Sequence, residues 1–295
     1  MASMRRILTL NAISQIGLAQ LPASYLVGSD VTQPDAMLVR SAKLHDMVIP
    51  ESVLAIGRAG AGTNNIPVPA LSARGVPVFN APGANSNAVK ELVIAGLLMG
   101  ARNLISAIRF VEGLTGDDEA MQKAAEAGKK TFAGTELPGR TLGVIGLGAI
   151  GSLVADAAIK LGMKVIGFDP AITVEAAWRL PAQVKKANSV EEVVKAANYI
   201  SVHVPLLDAT RNLINPERIA MMQPGTVLLN FAREGIVDNA AVLAGLQSGQ
   251  LHAYINDFPR RCLARPARRG LPAPPGRING GSRRELRCHG GAASD

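Results

Sequence analysis

Short apolar runs alternate with longer amphipathic stretches along most of this 295-residue chain. The apolar runs are typical of buried parallel strands, and the amphipathic stretches are typical of helices that cover them. The pattern therefore predicts an α/β protein built on parallel sheets. Arg5–Leu18 fits a first strand and helix better than a signal peptide, because polar residues interrupt its apolar stretch. The next strands are predicted at Met37–Val39, Ser52–Ile56 and Val76–Phe79.

A long helical pattern from about Ala88 to Val111 divides the chain, and it is long enough to connect two domains. Beyond it the alternation of strand and helix resumes. The predicted strands there are Leu142–Ile145, Lys164–Phe168, Tyr199–Val204, Thr226–Phe231 and Leu251–Ile255, and the clearest helices are Ser152–Leu161 and Asn239–Ser248.

A glycine motif joins the first strand of the second half to its helix. Gly146, Gly148 and Gly151 have G-x-G-x-x-G spacing, and the next strand ends at Asp169, 18 residues after Gly151. Such glycines permit a tight turn and let backbone amides approach a pyrophosphate at the helix N-terminus. Asp169 would bind the ribose hydroxyls and repel a 2′-phosphate, which favours NAD over NADP. The alternative is a glycine-rich turn that binds nothing.

The net charge of +8 first suggests a nucleic-acid partner. Residues 260–295, however, hold nine of the 31 basic residues and two of the 23 acidic ones, which leaves 22 basic and 21 acidic residues elsewhere. The body is therefore nearly neutral, and we expect no nucleic-acid partner. No apolar run approaches the roughly 20 residues that span a membrane, so no membrane partner is expected either. Both cysteines lie in residues 260–295, which fits a cytoplasmic protein without disulfides.

Two charged residues follow predicted strands, where ligands of open α/β sheets bind. Arg233 could hold a carboxylate through two hydrogen bonds and polarise a neighbouring carbonyl; the alternative is a surface arginine in a salt bridge. Asp257 could meet the nicotinamide end of a dinucleotide; the alternative is a helix cap or turn residue. No metal site is predicted.

Several segments together resemble the D-2-hydroxyacid dehydrogenases. They occur in the order RAGAGTNNI (58–66), VFNAPGANS (78–86), GLGAIG with Asp169, SVHVPL (201–206), NFAREGIVD (230–238) and YINDFP (254–259). The resemblance implies that Arg233 is the catalytic arginine that binds the substrate carboxylate. It suggests that the turn beginning at Arg58, Ala59 and Gly60 helps hold the substrate, with a purely structural loop as the alternative. It also implies NAD contacts from Ala149, Ile150, Asp169, Pro205, Phe231, Ala232 and Asp257.

The resemblance implies two Rossmann-like domains and a domain plan. Residues 1–95 would form the substrate domain, 96–259 the NAD-binding domain and 260–295 an aberrant basic tail. The implied reaction is NAD-dependent oxidation of a small D-2-hydroxyacid, with D-3-phosphoglycerate, in serine biosynthesis, as the expected substrate. A homo-oligomer is expected. An NAD-binding or interaction protein without turnover is the alternative.

The family's chemistry needs a histidine as acid/base, usually held by a glutamate. We expect the glutamate soon after Asp257 and the histidine in a Pro-His-Leu-Gly-like motif 15–30 residues later, and neither is present. His45, His203, His252 and His289 lie in other contexts, so a structural role is expected for each.

The sequence from about residue 260 raises a hypothesis about its reading frame. With suitable codons, residues 272–288, read one nucleotide later, encode Leu-Pro-His-Leu-Gly-Ala-Ser-Thr-Ala-Glu. That string looks like the missing catalytic segment at the expected position. The hypothesis is that this segment is translated out of frame; the alternative is a genuine basic, disordered tail.

Overall fold

The computed structural model of the chain describes residues 4–259. The chain forms two compact units, Met1–Asn87 and the part that begins at Ala88. The predicted basic tail, residues 260–295, lies outside the described residues, so the reading-frame hypothesis stays a prediction. The assignment of a substrate domain to 1–95 and an NAD domain to 96–259 stays a prediction.

The first unit is a five-stranded parallel sheet with helices beside it. Met37, Val39, Ile56 and Leu71 are fully buried or nearly so and form its core. The strand order is β2-β1-β3-β4-β5. The elements are β1 Arg5–Leu10, α1 Gln15–Leu18, β2 Tyr25–Gly28, β3 Ala36–Val39, β4 Ala55–Arg58, α2 Val68–Ala73 and β5 Val78–Asn80.

The second unit is a six-stranded parallel sheet. Helix α3 begins at Ser86, where the two units join. The helices of the second unit are α3 Ser86–Ala101, α4 Leu104–Glu112, α5 Asp118–Gly128, α6 Ala149–Lys160, α7 Val174–Trp178, α8 Val190–Ala196, α9 Pro216–Met221 and α10 Asn239–Ser248. Its strands are β6 Thr141–Ile145, β7 Lys164–Phe168, β8 Val184–Lys186, β9 Tyr199–Val202, β10 Thr226–Asn230 and β11 Leu251–Asn256.

The central strands of the second sheet explain why the apolar runs are continuous. In the order β11-β10-β9-β6-β7-β8, strands β9 and β10 are buried at every position and β6 at all but its first. A parallel strand covered by helices on both faces needs apolar residues at successive positions rather than at alternate ones. The two parallel sheets confirm the predicted α/β class with two Rossmann-like folds.

The structure corrects two predicted elements. The expected helix from Ala88 to Val111 is two helices, α3 and α4, bent by 66° relative to each other. Asn103 lies at the break in the left-handed region with φ of 53°, and its side chain bonds to the carbonyl of Ala133 and to His252. Among the described residues, no single helix is long and apolar enough to cross a membrane.

The second correction concerns the strand expected at Ser52–Ile56. The strand is β4 and begins at Ala55. Ser52 lies in a turn instead, because its hydroxyl donates to the carbonyl of Pro34 and the Val53 amide donates to Pro50. The Val53–Pro50 bond closes a turn, and a turn cannot continue a sheet ladder.

Candidate functional site: the carboxyl edge of the second sheet

The second sheet changes direction at β6. This strand pairs with β7 on one side and with β9 on the other, so the chain winds outward from β6 both ways. In open α/β sheets such a switch point leaves a crevice outside the carboxyl ends of the strands, where ligands bind. The glycine motif begins at this place, directly after Ile145.

Each glycine of the motif has a different reason to lack a side chain. Gly146 has φ of 93°, and a Cβ there would lie 2.7 Å from the carbonyl oxygen of His203. A Cβ on Gly151 would collide with the carbonyl of Gly146, so this glycine lets α6 pack against the loop. A Cβ on Gly148 would meet nothing within 4 Å. Gly148 is therefore a place where a ligand can approach the backbone.

The amino end of α6 adds a partial positive charge to this opening. Its N-cap is Gly148, which supplies no capping side chain. The first amides of the helix, which include those of Ala149 and Ile150, therefore lack a side-chain cap. An anion such as a pyrophosphate is the partner that such amides favour. The contacts of both residues with NAD stay a prediction.

Asp169 is fixed beside the loop by two backbone amides. Its Oδ2 accepts a hydrogen bond of 2.8 Å from the Leu147 amide, and its Oδ1 accepts one of 2.9 Å from the Ala171 amide. The first bond joins the end of β7 to the middle of the glycine motif. A carboxylate held in this way is preorganised to accept hydrogen bonds from a ribose.

A cavity of about 560 Å³ lies next to Asp169 at the ends of β7 and β8. Its walls are mostly apolar, which suits a planar aromatic ring such as adenine. The open face of Gly148, the carboxylate of Asp169 and this cavity together fit a bound dinucleotide. The residues that line it are Leu147, Gly167, Phe168, Asp169, Pro170, Ile172, Ala177, Leu180, Val184, Lys186, Ala187 and Asn188.

His203 follows β9 and supports the same loop from the other side. Its Nε2 lies 2.8 Å from the hydroxyl of Ser201, and its amide donates to the carbonyl of Ile145. Burial lowers the pKa of the imidazole to about 4. The ring is therefore neutral near pH 7, and its place against the backbone agrees with the structural role expected from its context.

Arg233 lies just past β10, on a loop shaped by a fully buried asparagine. The Asn230 amide nitrogen donates to the carbonyl of Arg233 at 2.9 Å, and its oxygen accepts from the Ala232 amide at 3.1 Å. The Arg233 guanidinium donates to the carbonyl of Ala232 at 2.6 Å. Asn230 was not predicted as part of the site; its position as the last residue of a buried apolar run was the available signal.

The remaining predicted NAD contacts lie along the same edge of the sheet. Phe231 is partly buried near Gly96 of α3, and Pro205 is exposed while its carbonyl accepts from the hydroxyl of Thr210. Asp257 is exposed directly after β11, next to Asn256, which caps the Phe258 amide. Burial raises the pKa of the Tyr254 hydroxyl nearby on β11. These residues follow β9, β10 and β11, and their contacts with NAD stay a prediction.

The predicted substrate turn belongs to the first unit. Arg58 ends β4, the Ala59 amide donates to the carbonyl of Val39, and Gly60 has φ of 142°. The guanidinium of Arg58 occupies the space where a Cβ on Gly60 would lie. Gly60 therefore lets the arginine fold back over its own turn.

The other histidines of the described residues are also tied to neighbours. His45 is exposed and lies 3.1 Å from the carbonyl of Asn64, and His252 lies 2.8 Å from the side chain of Asn103. His289 lies outside the described residues. Between Asp257 and residue 259, the last one described, no glutamate or histidine occurs.

Comparisons with known proteins agree with this geometry. The family described as D-isomer specific 2-hydroxyacid dehydrogenase, NAD binding domain, matches residues 104–267. D-3-phosphoglycerate dehydrogenase of Methanocaldococcus jannaschii is 38% identical over 230 residues, which are 77% of this chain and 41% of that protein. The same enzyme of Rattus norvegicus is 38% identical over 219 residues, 73% of this chain and 38% of the relative. The chain thus spans about two fifths of the length of these curated relatives.

A solved structure extends the likeness to the fold. D-mandelate dehydrogenase of Rhodotorula graminis has a TM-score of 0.68 and 25% identity, and the match covers 86% of this chain and 82% of that one. The predicted cofactor, NAD, is confirmed by the description of the matched domain. Because that domain covers more than half of the chain, this chain belongs to the D-isomer specific 2-hydroxyacid dehydrogenase family.

Proposed function

We propose that this chain derives from an enzyme that oxidises a D-2-hydroxyacid with NAD, with D-3-phosphoglycerate as the substrate and 3-phosphohydroxypyruvate as the product. The observation that carries the proposal is the carboxylate of Asp169, held by the Leu147 amide beside the open face of Gly148. The printed names of the curated relatives support the choice of substrate. The place of the reaction would be serine biosynthesis.

We assign the following roles to the residues of the proposed site. The α6 amides and the glycine loop would hold the pyrophosphate, and Asp169 the ribose hydroxyls. Arg233 would bind the substrate carboxylate through two hydrogen bonds and draw charge from the adjacent carbonyl as it forms. Bound NAD supplies the hydride acceptor. The turn of Arg58, Ala59 and Gly60 would help hold the substrate.

Residues 4–259, which the structure describes, place no group suited to accept the proton. Oxidation of an alcohol releases a proton as well as a hydride, and a neutral imidazole is the usual acceptor. His203 is partly buried against the glycine loop, lies within hydrogen-bond distance of Ser201 and has a lowered pKa, so we do not assign it that role. The second candidate function is therefore an NAD-binding or interaction protein without turnover.

Two measurements on the same preparation test the proposal and separate the candidates. NAD binding is followed by calorimetry or by the fluorescence of Trp178, the one tryptophan of the chain. Reduction of NAD with D-3-phosphoglycerate is followed by absorbance. Binding with turnover supports the enzyme, binding alone supports the second candidate, and absence of binding contradicts both.

We also propose that the protein is a cytoplasmic homo-oligomer. Helix α4 exposes Leu104, Ile105, Ile108 and Val111, each more than 40% accessible, and buries no residue of its own. An apolar helical face of this kind is typical of an interface, and a second copy of the chain is the occupant we assign to it. Replacement of Ile108 by Glu should reduce the mass measured by light scattering; an unchanged mass would refute this interface.

A further inference from the structure

We propose that Lys186 weakens the preference of the adenosine site for NAD over NADP. Its ammonium group would lie near the 2′-position of the ribose and offset part of the repulsion that Asp169 exerts on a 2′-phosphate. The site would then still prefer NAD, but it would discriminate against NADP less than Asp169 alone dictates. This inference rests on the proposed dinucleotide site.

The register of β7 and β8 places the two charges on one face of the sheet. Lys186 pairs with Gly167 in the parallel ladder, and paired residues of neighbouring strands direct their side chains to the same face. Asp169 follows Gly167 by two residues, the spacing at which a strand returns to the same face. Lys185 pairs with Ile166 and so faces the opposite side.

The cavity at the ends of these strands gives an independent indication. Lys186 and Asp169 both line it, whereas Lys185 does not. Among the described residues that line the cavity, Lys186 is the one cation. A ligand that places its adenosine there would therefore meet one carboxylate and one ammonium group.

Asp169 is held by backbone amides and not by an ion pair with Lys186. Both carboxylate oxygens already accept backbone amides, from Leu147 and Ala171. Among the described residues, no ion pair within 4.0 Å joins Asp169 to Lys186. Lys186 is exposed, so its long side chain can turn its charge towards an anion in the cavity mouth.

The expected ligand contacts differ between the two cofactors. The ribose 2′-hydroxyl of NAD is a donor to Asp169 and gains little from an ammonium group. The 2′-phosphate of NADP carries close to two negative charges, and a nearby lysine attracts it even where a direct contact is transient. Lys186 should therefore affect the affinity for NADP far more than the affinity for NAD.

The experiment measures dissociation constants of NAD and NADP by calorimetry on the full chain. We compare the unmodified protein with Lys186→Gln and with Lys185→Gln, the matched control on the other face. Lys186→Gln should raise the dissociation constant of NADP about three- to tenfold and that of NAD by less than about twofold, as expected for one partly exposed charge. Lys185→Gln should leave the ratio of the two constants unchanged. Added salt should shrink the effect of Lys186→Gln.

A further variant separates charge from shape. Lys186→Arg keeps the charge and should keep the ratio of the unmodified protein. If Lys186→Gln and Lys185→Gln change the ratio equally, or neither changes it, the inference is wrong. If NAD binds to none of the proteins, the proposed dinucleotide site is wrong as well, which is a separate and distinguishable result.

Discussion

At the scale of single residues, the site depends on polar side chains fixed by backbone groups. Asp169 could be predicted because the motif fixes its distance from the glycines. Its anchoring by the Leu147 amide could not be predicted, since that bond joins two loops whose approach depends on the whole sheet. Lys186 escaped prediction for a similar reason: β8 has three residues and no apolar run, so nothing in the sequence placed it beside β7.

Replacement of Asp169 by Ala should weaken NAD binding and narrow the difference between NAD and NADP. The ribose loses its acceptor, whereas a 2′-phosphate loses a repulsive charge. We expect NAD to bind about tenfold less tightly, the value of one charge-assisted hydrogen bond. Titration calorimetry with both cofactors measures this. Equal affinities for NAD and NADP in the unmodified protein would contradict the role given to Asp169.

Acid should destabilise the protein through His203. Its pKa is about 4 in the folded chain and about 6.5 when unfolded. The unfolded chain therefore takes up the proton first, and stability is lost as the pH falls from about 6.5 towards about 4. The loss is at most about 3.5 kcal/mol, from a pKa difference of about 2.5 at ~1.4 kcal/mol per pKa unit. Urea unfolding at several pH values measures it.

The matched control for this prediction is His203→Gln. Carboxylates contribute to acid unfolding in both proteins, so only the difference between their pH profiles reports on the imidazole. The variant should be less stable than the unmodified protein at pH 7, and the gap should close as the pH approaches 4. Parallel profiles would mean that the imidazole does not titrate as its burial requires.

At the scale of elements, burial decided which strands could be predicted. The predicted limits of Lys164–Phe168 and Asn239–Ser248 equal those of β7 and α10, and β6 and β10 differ by one residue. These elements pack in the core of the second unit. In contrast, β2 is partly exposed at every position and was not predicted. The break between α3 and α4 was missed because it depends on Asn103, whose partners lie far away in sequence.

Two glycines in the connection from β6 to α6 should respond differently to replacement by alanine. Gly148→Ala should leave the fold nearly unchanged, because its Cβ meets no protein atom within 4 Å. It should weaken NAD binding by about tenfold, because the Cβ would contact the pyrophosphate. Gly151→Ala should cost about 1–3 kcal/mol of stability, since its Cβ meets the Gly146 carbonyl. Thermal unfolding and NAD titration of both variants measure this. Equal melting temperatures would contradict the packing argument.

At the scale of the whole molecule, the two parallel sheets and the family could be predicted from the sequence, whereas the proposed activity would depend on an acid/base that we expect after residue 259. Without the acid/base, the chain as written should oxidise D-3-phosphoglycerate very poorly, because loss of such a group commonly costs about 10²–10⁴-fold. A coupled assay on protein whose mass confirms the given sequence measures this. Turnover at the level of the curated relatives would overturn the claim that the acid/base is missing.

We propose that the reading frame is shifted from about residue 260. The family match ends at residue 267, inside the segment in question. Sequencing the gene across the codons for residues 250–295 tests the proposal directly. A gene whose frame already encodes the given residues without a shift would support the alternative, a genuine basic tail.

Restoring the frame should then recover both stability and chemistry. The restored segment would supply a Pro-His-Leu-Gly motif with the missing imidazole, and the protein should melt higher and reduce NAD with a hydroxyacid. In that background Arg233→Ala should lower kcat/KM by about a hundredfold or more, because it removes a charge-assisted contact to the reacting acid. NAD affinity should change little, since Arg233 is assigned to the substrate and Asp169 to the cofactor. A repaired chain that binds NAD and oxidises no hydroxyacid would favour the binding protein over the enzyme, because the proton acceptor would then be present without the reaction it serves.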